Sequence, residues 1–246
     1  MPNTSGPLAS GPPASAELIS GIGFRMIEDI ERPPAKLVKE LGRYPTGDIS
    51  DLMNRLYAMN SSIRPYADPS LHLFGPAVTV KVFPGDNLMV HKSLDVAQPG
   101  DVVVVDAASS TTNAVLGDTI AMKSRHRGIA GFVIDGLIRD LAPIKKLADF
   151  PVYARGVTPI GPLHRGPGEL NYPVSVGGIV VNPGDVIVAD ESGIVVVPRD
   201  SVDDILDALR RKSQGQKKYM ADVAAGRFSN AWVDNILTSH DVIAGS

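Results

Sequence analysis

Two oppositely charged residues, Arg139 and Asp140, stand side by side in the stretch FVIDGLIRDLAPIKKL. The apolar run predicts a strand, Asp135-Gly136 predicts a turn, and the charged pair then falls at the start of a helix. The helix dipole stabilises an acidic side chain at that position but repels an arginine. Arg139 therefore needs another partner, which would be a bound anion or Asp118. These considerations favour a ligand-binding role for the pair over a solvated helix start.

A second cluster lies in NAVLGDTIAMKSRHRG, where Gly117 and Asp118 interrupt a helical pattern. Glycine inside a helix costs about 1 kcal/mol relative to alanine, which favours a helix that begins at Gly117 over one that runs through it. The backbone N–H groups of residues 117–120 would then be free to receive a carboxylate. The alternative, a loop glycine with Asp118 as the helix N-cap, is equally compatible with these residues.

The sequence offers little support for other kinds of catalytic centre. Cysteine is absent, which excludes disulfides, thiolate metal sites and a cysteine nucleophile. The sequence contains no phosphate-binding glycine loop, no dinucleotide-binding fingerprint and no serine in a nucleophile elbow. The histidines lack the spacing typical of a zinc site, and we expect each to be a surface or loop residue: His72, His91, His126, His164 and His240.

Composition predicts a soluble globular protein of the cytoplasm. The 246 residues are 43% hydrophobic, and 24 basic and 27 acidic residues give a net charge of −3 without a basic stripe, which argues against a nucleic-acid partner. No apolar stretch reaches the roughly 18 residues that a membrane span needs. The N-terminal stretch MPNTSGPLASGPPASAEL lacks the features of a secretory signal. We predict a flexible segment over residues 1–15 and a single domain over residues 16–246.

The order of predicted elements indicates an α/β fold. Strands are predicted in valine- and isoleucine-rich segments at 76–86, 100–108, 128–136, 150–156, 178–190 and 193–198. Helices are predicted at 16–40 with a break at Pro33-Pro34, from Thr46 to Leu56, and at 86–97, 111–127 and 139–148. A long amphipathic helix is predicted from about residue 201, with Ser201 as N-cap and Gly215 as a weak point. Trp232 is expected to pack against the core or a neighbouring subunit. Pro-Gly-Asp triplets at 84–86, 99–101 and 183–185 predict recurrent turns.

Four segments together resemble the class II pyruvate aldolases and the related regulators of ribonuclease E activity. These segments are GDNLMVHKSLDVAQPGDVVVVDA, GDTIAMKSRHRGIAGFVIDGLIRD, FPVYARG and VVNPGDVIVADESGIVVVP. The resemblance spans about residues 45–200. It is specific, because the order of the segments and the separation of Asp118 from Asp140 both agree with the family. The family includes 4-hydroxy-4-methyl-2-oxoglutarate aldolase.

The resemblance implies a site for a divalent cation, magnesium or manganese, and a 2-keto acid. Asp140 would hold the cation, and Asp118 would hold one of its water ligands. The backbone N–H groups of Gly117, Asp118, Thr119 and Ile120 would receive the substrate carboxylate. Arg139 would hold the keto oxygen and stabilise the enolate, while Asp118 would assist in catalysis.

The implied activity is retro-aldol cleavage of 4-hydroxy-2-keto diacids to pyruvate, together with decarboxylation of oxaloacetate. In the aldolases an acidic residue on the C-terminal helix of an adjacent subunit assists proton transfer. This sequence departs from that pattern, since the matching stretch around Gln216 has no glutamate between Asp207 and Asp222. The departure weakens the aldolase assignment more than the decarboxylase one, because decarboxylation does not require removal of a hydroxyl proton.

The resemblance also implies a layered α/β sandwich, in which helices cover a central mixed sheet or barrel and the N-terminal helices pack outside. It implies a homotrimer or a homohexamer with sites between subunits. The alternative function is that of a non-catalytic binding protein of the ribonuclease E regulator type. Retention of Asp118, Arg139 and Asp140 together favours the enzyme.

Overall fold

The computed structural model describes residues 18–242, so the flexible segment expected over residues 1–15 lies outside the described residues. The strands are β1 (Phe24–Met26), β2 (Arg64–Pro65), β3 (Leu73–Val82), β4 (Val102–Asp106), β5 (Ala114–Leu116), β6 (Gly131–Ile138), β7 (Val152–Val157), β8 (Gly168–Leu170), β9 (Val174–Val176), β10 (Ile179–Val181), β11 (Val186–Asp190) and β12 (Gly193–Val197). The helices are α1 (Ala35–Leu41), α2 (Thr46–Leu52), α3 (Leu88–Val96), α4 (Asp118–His126), α5 (Leu141–Lys145), α6 (Val202–Ala224) and α7 (Ala231–Ser239).

A ten-stranded mixed sheet lies at the centre, in the order β1-β8-β3-β4-β6-β7-β2. Strands β3, β4, β6 and β7 run parallel, and β5 pairs in parallel with the end of β6. Strand β3 also pairs antiparallel with β11, which continues into β12. Strands β9 and β10 form a separate antiparallel pair. The predicted class, an α/β fold with a central mixed sheet covered by helices, is therefore confirmed.

Buried valine and isoleucine side chains hold helices and further strands against this sheet. Helices α3, α4 and α5 cover one part of it, where residues such as Val80, Val105 and Ile134 form the largest core cluster. A second cluster joins the sheet to β9, β10, β11 and β12. A third lies under α1, α2 and α6. Near-continuous apolar strands are typical of parallel sheets that are buried on both faces. The six predicted strand segments all contain strands of the structure.

The three Pro-Gly-Asp triplets are turns with a shared construction. Gly85, Gly100 and Gly184 all have positive φ, between 84° and 93°, which L residues with side chains rarely adopt. The aspartate that follows each glycine is buried, and its carboxylate accepts a backbone N–H: Asp86 from Leu88, Asp101 from Gln98, and Asp185 from Asn182. The recurrence therefore reflects turn chemistry and not an internal repeat.

The helix predicted over residues 16–40 is wrong for most of its length. Residues 24–26 form β1, which pairs in parallel with β8, and a helix begins only at Ala35. Two glycines of positive φ, Gly21 and Gly23, precede the strand. The Arg25 side chain binds Glu169 of β8 at 2.6 Å. Local helical spacing is thus overridden by pairing with a strand more than 140 positions away.

Two further boundaries differ from the prediction. The first part of the helix expected over 111–127 is β5, and α4 begins at Asp118. The turn expected at Asp135-Gly136 lies inside β6, which continues to Ile138. Asp135 remains inside the sheet because its buried carboxylate is hydrogen-bonded there, including by the Arg155 side chain of β7.

The C-terminal part contains the long helix expected from about residue 201, and α6 passes through Gly215 without a break. Ser201 occupies the N-cap position but makes no side-chain capping hydrogen bond. Trp232 lies on α7 with 60% of its surface exposed, so the prediction that it packs against the core of its own chain is wrong. Contact with a neighbouring subunit stays a prediction. Over residues 18–242, every helix is too short or too polar to cross a membrane.

Candidate active site

The predicted site residues meet at the carboxyl ends of two adjacent parallel strands. Strand β5 leads through Gly117 into α4, and β6 leads through Arg139 and Asp140 into α5. The Arg139 amide donates a hydrogen bond to the Leu116 carbonyl at 2.9 Å, which ties the two strand ends together. Ligands of open α/β sheets bind at this kind of edge, outside the carboxyl ends of the strands.

Gly117 lies in contact with both charged side chains. A Cβ atom at this position would stand 2.7 Å from Asp140 Oδ2 and 3.2 Å from Arg139 Nε. Its φ of −131° and ψ of −176° are extended values that any residue adopts. A side chain at position 117 would therefore displace the Asp140 carboxylate and the Arg139 side chain, whereas the backbone conformation itself does not demand glycine. The prediction that a helix begins at Gly117 is confirmed, because Gly117 is the N-cap of α4.

The first turn of α4 presents backbone N–H groups beside the charged pair. Among the described residues, the amides of Asp118, Thr119 and Ile120 have no hydrogen-bond acceptor, and the first amide to bond back is that of Ala121, to Gly117 at 3.1 Å. Asp118 is the first helical residue, so the alternative in which it acts as N-cap is wrong. Its carboxylate accepts a 3.2 Å hydrogen bond from the Thr119 hydroxyl. Free amides at a helix start favour an anionic ligand.

The Arg139 guanidinium and the Asp140 carboxylate form an ion pair of 3.2 Å, with 44% and 38% of the two side chains exposed. Among the described residues, Asp140 is the only carboxylate within 4 Å of Arg139, and the expected pairing with Asp118 is not seen. Arg139 also lies against Gly161, where a Cβ would stand 2.5 Å from Nη1. The charged atoms of the pair remain accessible for binding a ligand.

Asp140 adopts a left-handed backbone conformation, with φ 55° and ψ 44°, at the N-cap of α5. Non-glycine residues are uncommon there, although aspartate and asparagine tolerate the region better than most. Such strained residues cluster at ligand sites. The Asp140 carboxylate makes no capping hydrogen bond to α5 and pairs instead with Arg139.

A divalent cation fits the oxygen donors of this site, although they form an incomplete shell. In residues 18–242 no three His, Asp or Glu side chains lie close enough to hold a metal together. Magnesium is commonly held by one or two carboxylates, with water or substrate oxygens in the other positions. Asp140 offers a partly exposed carboxylate beside Gly117. Asp118 is a second carboxylate on the neighbouring helix.

Asn87, His91 and His164 form a polar cluster beside β5 that the sequence did not predict. Asn87 is buried, donates to the Val115 carbonyl at 3.0 Å and bonds His164 Nδ1 through its own Oδ1 at 2.6 Å. The rings of His91 and His164 meet edge to face at 5.5 Å. Burial, followed by the nearby His164 and Lys123, lowers the pKa of His91. The only local signal was an asparagine directly after a Pro-Gly-Asp turn.

Comparison with known proteins assigns the chain to a family. Residues 46–196 match the RraA-like model, described as Aldolase/RraA. A protein of Halalkalibacterium halodurans, provisionally named 4-hydroxy-4-methyl-2-oxoglutarate aldolase, is 41% identical over 168 residues, which is 68% of this chain and 79% of the relative. The chain therefore belongs to the Aldolase/RraA family.

Solved structures agree with this assignment. The structure of Streptomyces coelicolor RraAS2, described as an unusual member of the RNase ES inhibitor RraA family, is 31% identical. It has a TM-score of 0.71 and covers 78% of this chain and 99% of its own. The RNA-processing inhibitor RraA from Thermus thermophilis is also 31% identical, with a TM-score of 0.59 and coverage of 63% and 93%. Relatives with the names of enzymes and of inhibitors thus share this fold.

Proposed function

We propose that the protein is a divalent-metal-dependent lyase that cleaves 4-hydroxy-2-keto diacids, of the 4-hydroxy-4-methyl-2-oxoglutarate type, to pyruvate. We further propose that it decarboxylates oxaloacetate. The observation that carries this proposal is the juxtaposition of Arg139, Asp140 and the free amides of α4 beside Gly117. The aldolase names of relatives such as the Halalkalibacterium protein support it.

The free amides and the arginine match the two ends of a 2-keto acid headgroup. The carboxylate would bind the N–H groups of Gly117, Asp118, Thr119 and Ile120, where the helix dipole favours negative charge. Arg139 would donate to the adjacent keto oxygen. Retro-aldol cleavage and β-decarboxylation both leave negative charge on that oxygen. A fixed guanidinium stabilises this charge in the transition state more than the neutral ketone in the ground state.

Asp140 would hold the magnesium or manganese ion directly, and Asp118 would hold it through water. When bound, the ion supplies a Lewis acid that polarises the keto oxygen. Asp140 is suited to this role because Gly117 leaves its Oδ2 uncovered by any side chain at that position. Its ion pair with Arg139 at 3.2 Å holds the two charged groups side by side.

The two reactions make different demands on proton transfer. Aldol cleavage requires a base for the substrate hydroxyl, whereas decarboxylation of oxaloacetate does not. Helix α6 carries no glutamate, and Gln216 stands near the position where the aldolases have an acidic residue. We therefore expect oxaloacetate decarboxylation to be efficient relative to aldol cleavage.

The proposed assembly is a homotrimer or homohexamer. Helix α7 supports it, since none of its nine residues is buried within the chain. Isolated helices of this length are not stable in water. Exposed apolar side chains at Phe228, Trp232 and Ile236 would find their cover on a second copy.

The test is pyruvate release from 4-hydroxy-4-methyl-2-oxoglutarate and from oxaloacetate, with magnesium, with manganese and with a chelator. We expect metal-dependent release that falls by about 100-fold or more in Arg139→Ala, with an unchanged melting temperature. Arg125→Ala serves as a matched control. Arg125 lies near the C-terminal end of α4, away from the site, and pairs on the surface with Asp149. A large loss of thermal stability in Arg139→Ala would instead indicate a structural role.

The second candidate is a non-catalytic regulator, which the likeness to the Streptomyces RraAS2 structure favours. A regulator would release no pyruvate from either substrate at any metal concentration. Inhibition of an RNase E-type ribonuclease by the purified protein, unaffected by Arg139→Ala, would then support this candidate.

A further inference from the structure

Strand β6 contains one extra residue shortly before its end, which is followed by Arg139 and Asp140 of the candidate site. Two residues of β6, Asp135 and Gly136, stand opposite a single residue of β7, Arg155. The flanking register pairs are Ile134 with Ala154 and Leu137 with Gly156. This two-for-one arrangement is a β-bulge, and bulges next to active sites redirect the side chains that follow.

The bulge also marks the point at which β6 changes neighbours. On one side, β6 pairs with β4 as far as Asp135 and with β5 from Leu137 onward. Side chains alternate along a strand with a period of two. An extra residue therefore reverses the faces of the sheet on which the following side chains lie. The residues that leave next are Arg139 and Asp140.

A buried ion pair spans the bulge. The Arg155 Nε donates to the Asp135 carboxylate, whose side chain is 5% exposed. The same carboxylate accepts the Ser109 hydroxyl at 2.8 Å and the Gly177 amide at 2.7 Å. Arg155 also donates to the Ser62 hydroxyl. Three segments of the chain thus donate hydrogen bonds to Asp135, and Ser62 is linked to it through Arg155.

The surroundings of the bulge leave little freedom for another arrangement. A Cβ at Gly136 would stand 2.8 Å from the Cβ of Ala107, so a larger residue does not fit. Burial raises the pKa of Asp135, but hydrogen bonds from Arg155, Gly177 and Ser109 outweigh it and hold the pKa below its usual value. A buried carboxylate that stays ionised in this way is strongly destabilising when its cation is removed.

We propose that Asp135 and Arg155 are positioning residues, whose ion pair holds the bulge and thereby sets the direction of Arg139 and Asp140 at Gly117. The pair touches no reacting atom and acts through the two residues that follow the strand. The catalytic consequence of this inference rests on the proposed lyase function. The structural role of the ion pair in holding the bulge does not depend on that function.

The first experiment compares Arg155→Met with Arg32→Met. Arg32 pairs with Asp101, the residue just before the N-terminal end of β4. The side-chain exposures of this pair are 16% and 2%, close to the 21% and 5% of Arg155 and Asp135. We expect both variants to lose stability. Only Arg155→Met should lower kcat for pyruvate release, by at least about 10-fold. Arg155→Lys should restore part of that loss. Equal kcat values in both methionine variants, measured on folded protein, would overturn the proposal.

The second experiment asks whether Arg155 acts through Arg139. In an Arg139→Lys background, Arg155→Met should cost much less in kcat than it does in the wild type, because the group that it positions is already replaced. Full additivity of the two losses would mean that Arg155 does not act through Arg139, which would overturn the positioning role. Asp135→Asn, which keeps the shape of the side chain, serves as a second variant if Arg155→Met does not fold.

Amide hydrogen exchange separates this proposal from the proposed function. The Arg139 amide is bonded to Leu116 across the strand ends. Its exchange should accelerate in Arg155→Met and not in Arg32→Met. Absence of pyruvate release by the wild type would overturn the lyase assignment and leave this measurement valid. Unchanged exchange at Arg139 would overturn the positioning role whether or not the protein is a lyase.

Discussion

At the scale of single residues, the site depends on a glycine whose backbone is ordinary. Gly117 has an extended conformation open to any residue, yet a side chain there would meet Asp140 and Arg139. A substitution at Gly117 would therefore leave the start of α4 intact but would displace the Asp140 and Arg139 side chains. Asp140 presents the opposite case, since its left-handed backbone restricts which residues can replace it.

Gly117→Ala should preserve the fold and damage the site. The added methyl group would displace the Asp140 carboxylate, and a displacement of about 1 Å can cost roughly 100-fold in rate. We expect kcat for pyruvate release to fall by at least about 10-fold, with a melting temperature close to the wild type. Thermal melts and metal-dependent kinetics check this together. Wild-type activity in Gly117→Ala would show that the contact with Asp140 does not matter.

Asp140→Asn should raise the magnesium requirement. Asparagine tolerates the left-handed conformation, so this variant removes charge without the backbone strain that Asp140→Ala would add. Loss of a direct ligand should raise the half-saturating magnesium concentration by about 10-fold or more, without a large change in stability. The measurement is a magnesium titration of activity. An unchanged titration would remove Asp140 from the ligand set.

At the scale of elements, several helices and strands are placed by contacts far along the chain. Helix α2 begins at Thr46, and its N-cap, Pro45, offers no side-chain hydrogen bond. Instead, the Asp190 carboxylate at the end of β11 accepts the Thr46 amide at 2.9 Å and the Thr46 hydroxyl at 2.8 Å. The helix ends at Leu52, before Asn54 and Arg55, which both have positive φ. The expected continuation to Leu56 is therefore wrong.

Asp190→Asn should destabilise the protein in a pH-dependent way. Burial raises the pKa of Asp190, but hydrogen bonds from Thr46 and Ser192 outweigh it, so the folded pKa lies below the ordinary value of 3.8. Stability from this carboxylate is thus fully present above that value and is lost as pH falls through the folded pKa. We expect about 1.5–3 kcal/mol of destabilisation at pH 7.

Denaturant unfolding of both proteins at several pH values measures this difference. The gap between wild type and Asp190→Asn should be constant from neutral pH down to about 5 and should shrink below about 4. A gap that is independent of pH in the acid range would mean that the carboxylate charge contributes nothing.

At the scale of the whole molecule, the C-terminal region extends away from the core. The side chains of α6 that are buried, Val202, Leu206 and Leu209, all lie in its first third. Beyond them, Tyr219, Met220, Phe228 and Trp232 are each more than half exposed. Apolar exposure on this scale is typical of an interface with another protein. We interpret α7 and the second half of α6 as the surface through which copies associate.

Light scattering of the purified protein should give a mass of three or six copies. Trp232→Glu combined with Ile236→Glu should reduce that mass, because both residues lie on one face of α7, four positions apart. Thr238→Glu introduces the same charge on another part of the helix and should leave the mass unchanged. A monomeric wild type, or a mass that withstands the double substitution, would contradict this interpretation.

The sequence by itself determined the six valine- and isoleucine-rich strand segments and the α/β class, and it singled out the candidate site residues. Valine-rich segments bounded by glycine, proline and aspartate carry their strand signal locally, and the Pro-Gly-Asp turns are closed by their own aspartates. A glycine in a helical pattern marked the start of α4, and an arginine placed against a helix dipole marked Arg139. The roles of Asp118, Arg139 and Asp140 as ligands remain predictions.

Only the tertiary structure decided how those residues meet. It showed that a Cβ at Gly117 would meet the Asp140 carboxylate, and that Asp135 and Gly136 form a bulge where the sequence predicted a turn. The short strands β1, β2, β5, β8 and β9 also escaped prediction. Their formation depends on partners distant in sequence, as Phe24 does on Gly168. The β-propensity of such short segments is weak. Their conformation is therefore set by the free energy of pairing with, and burial against, residues distant in sequence.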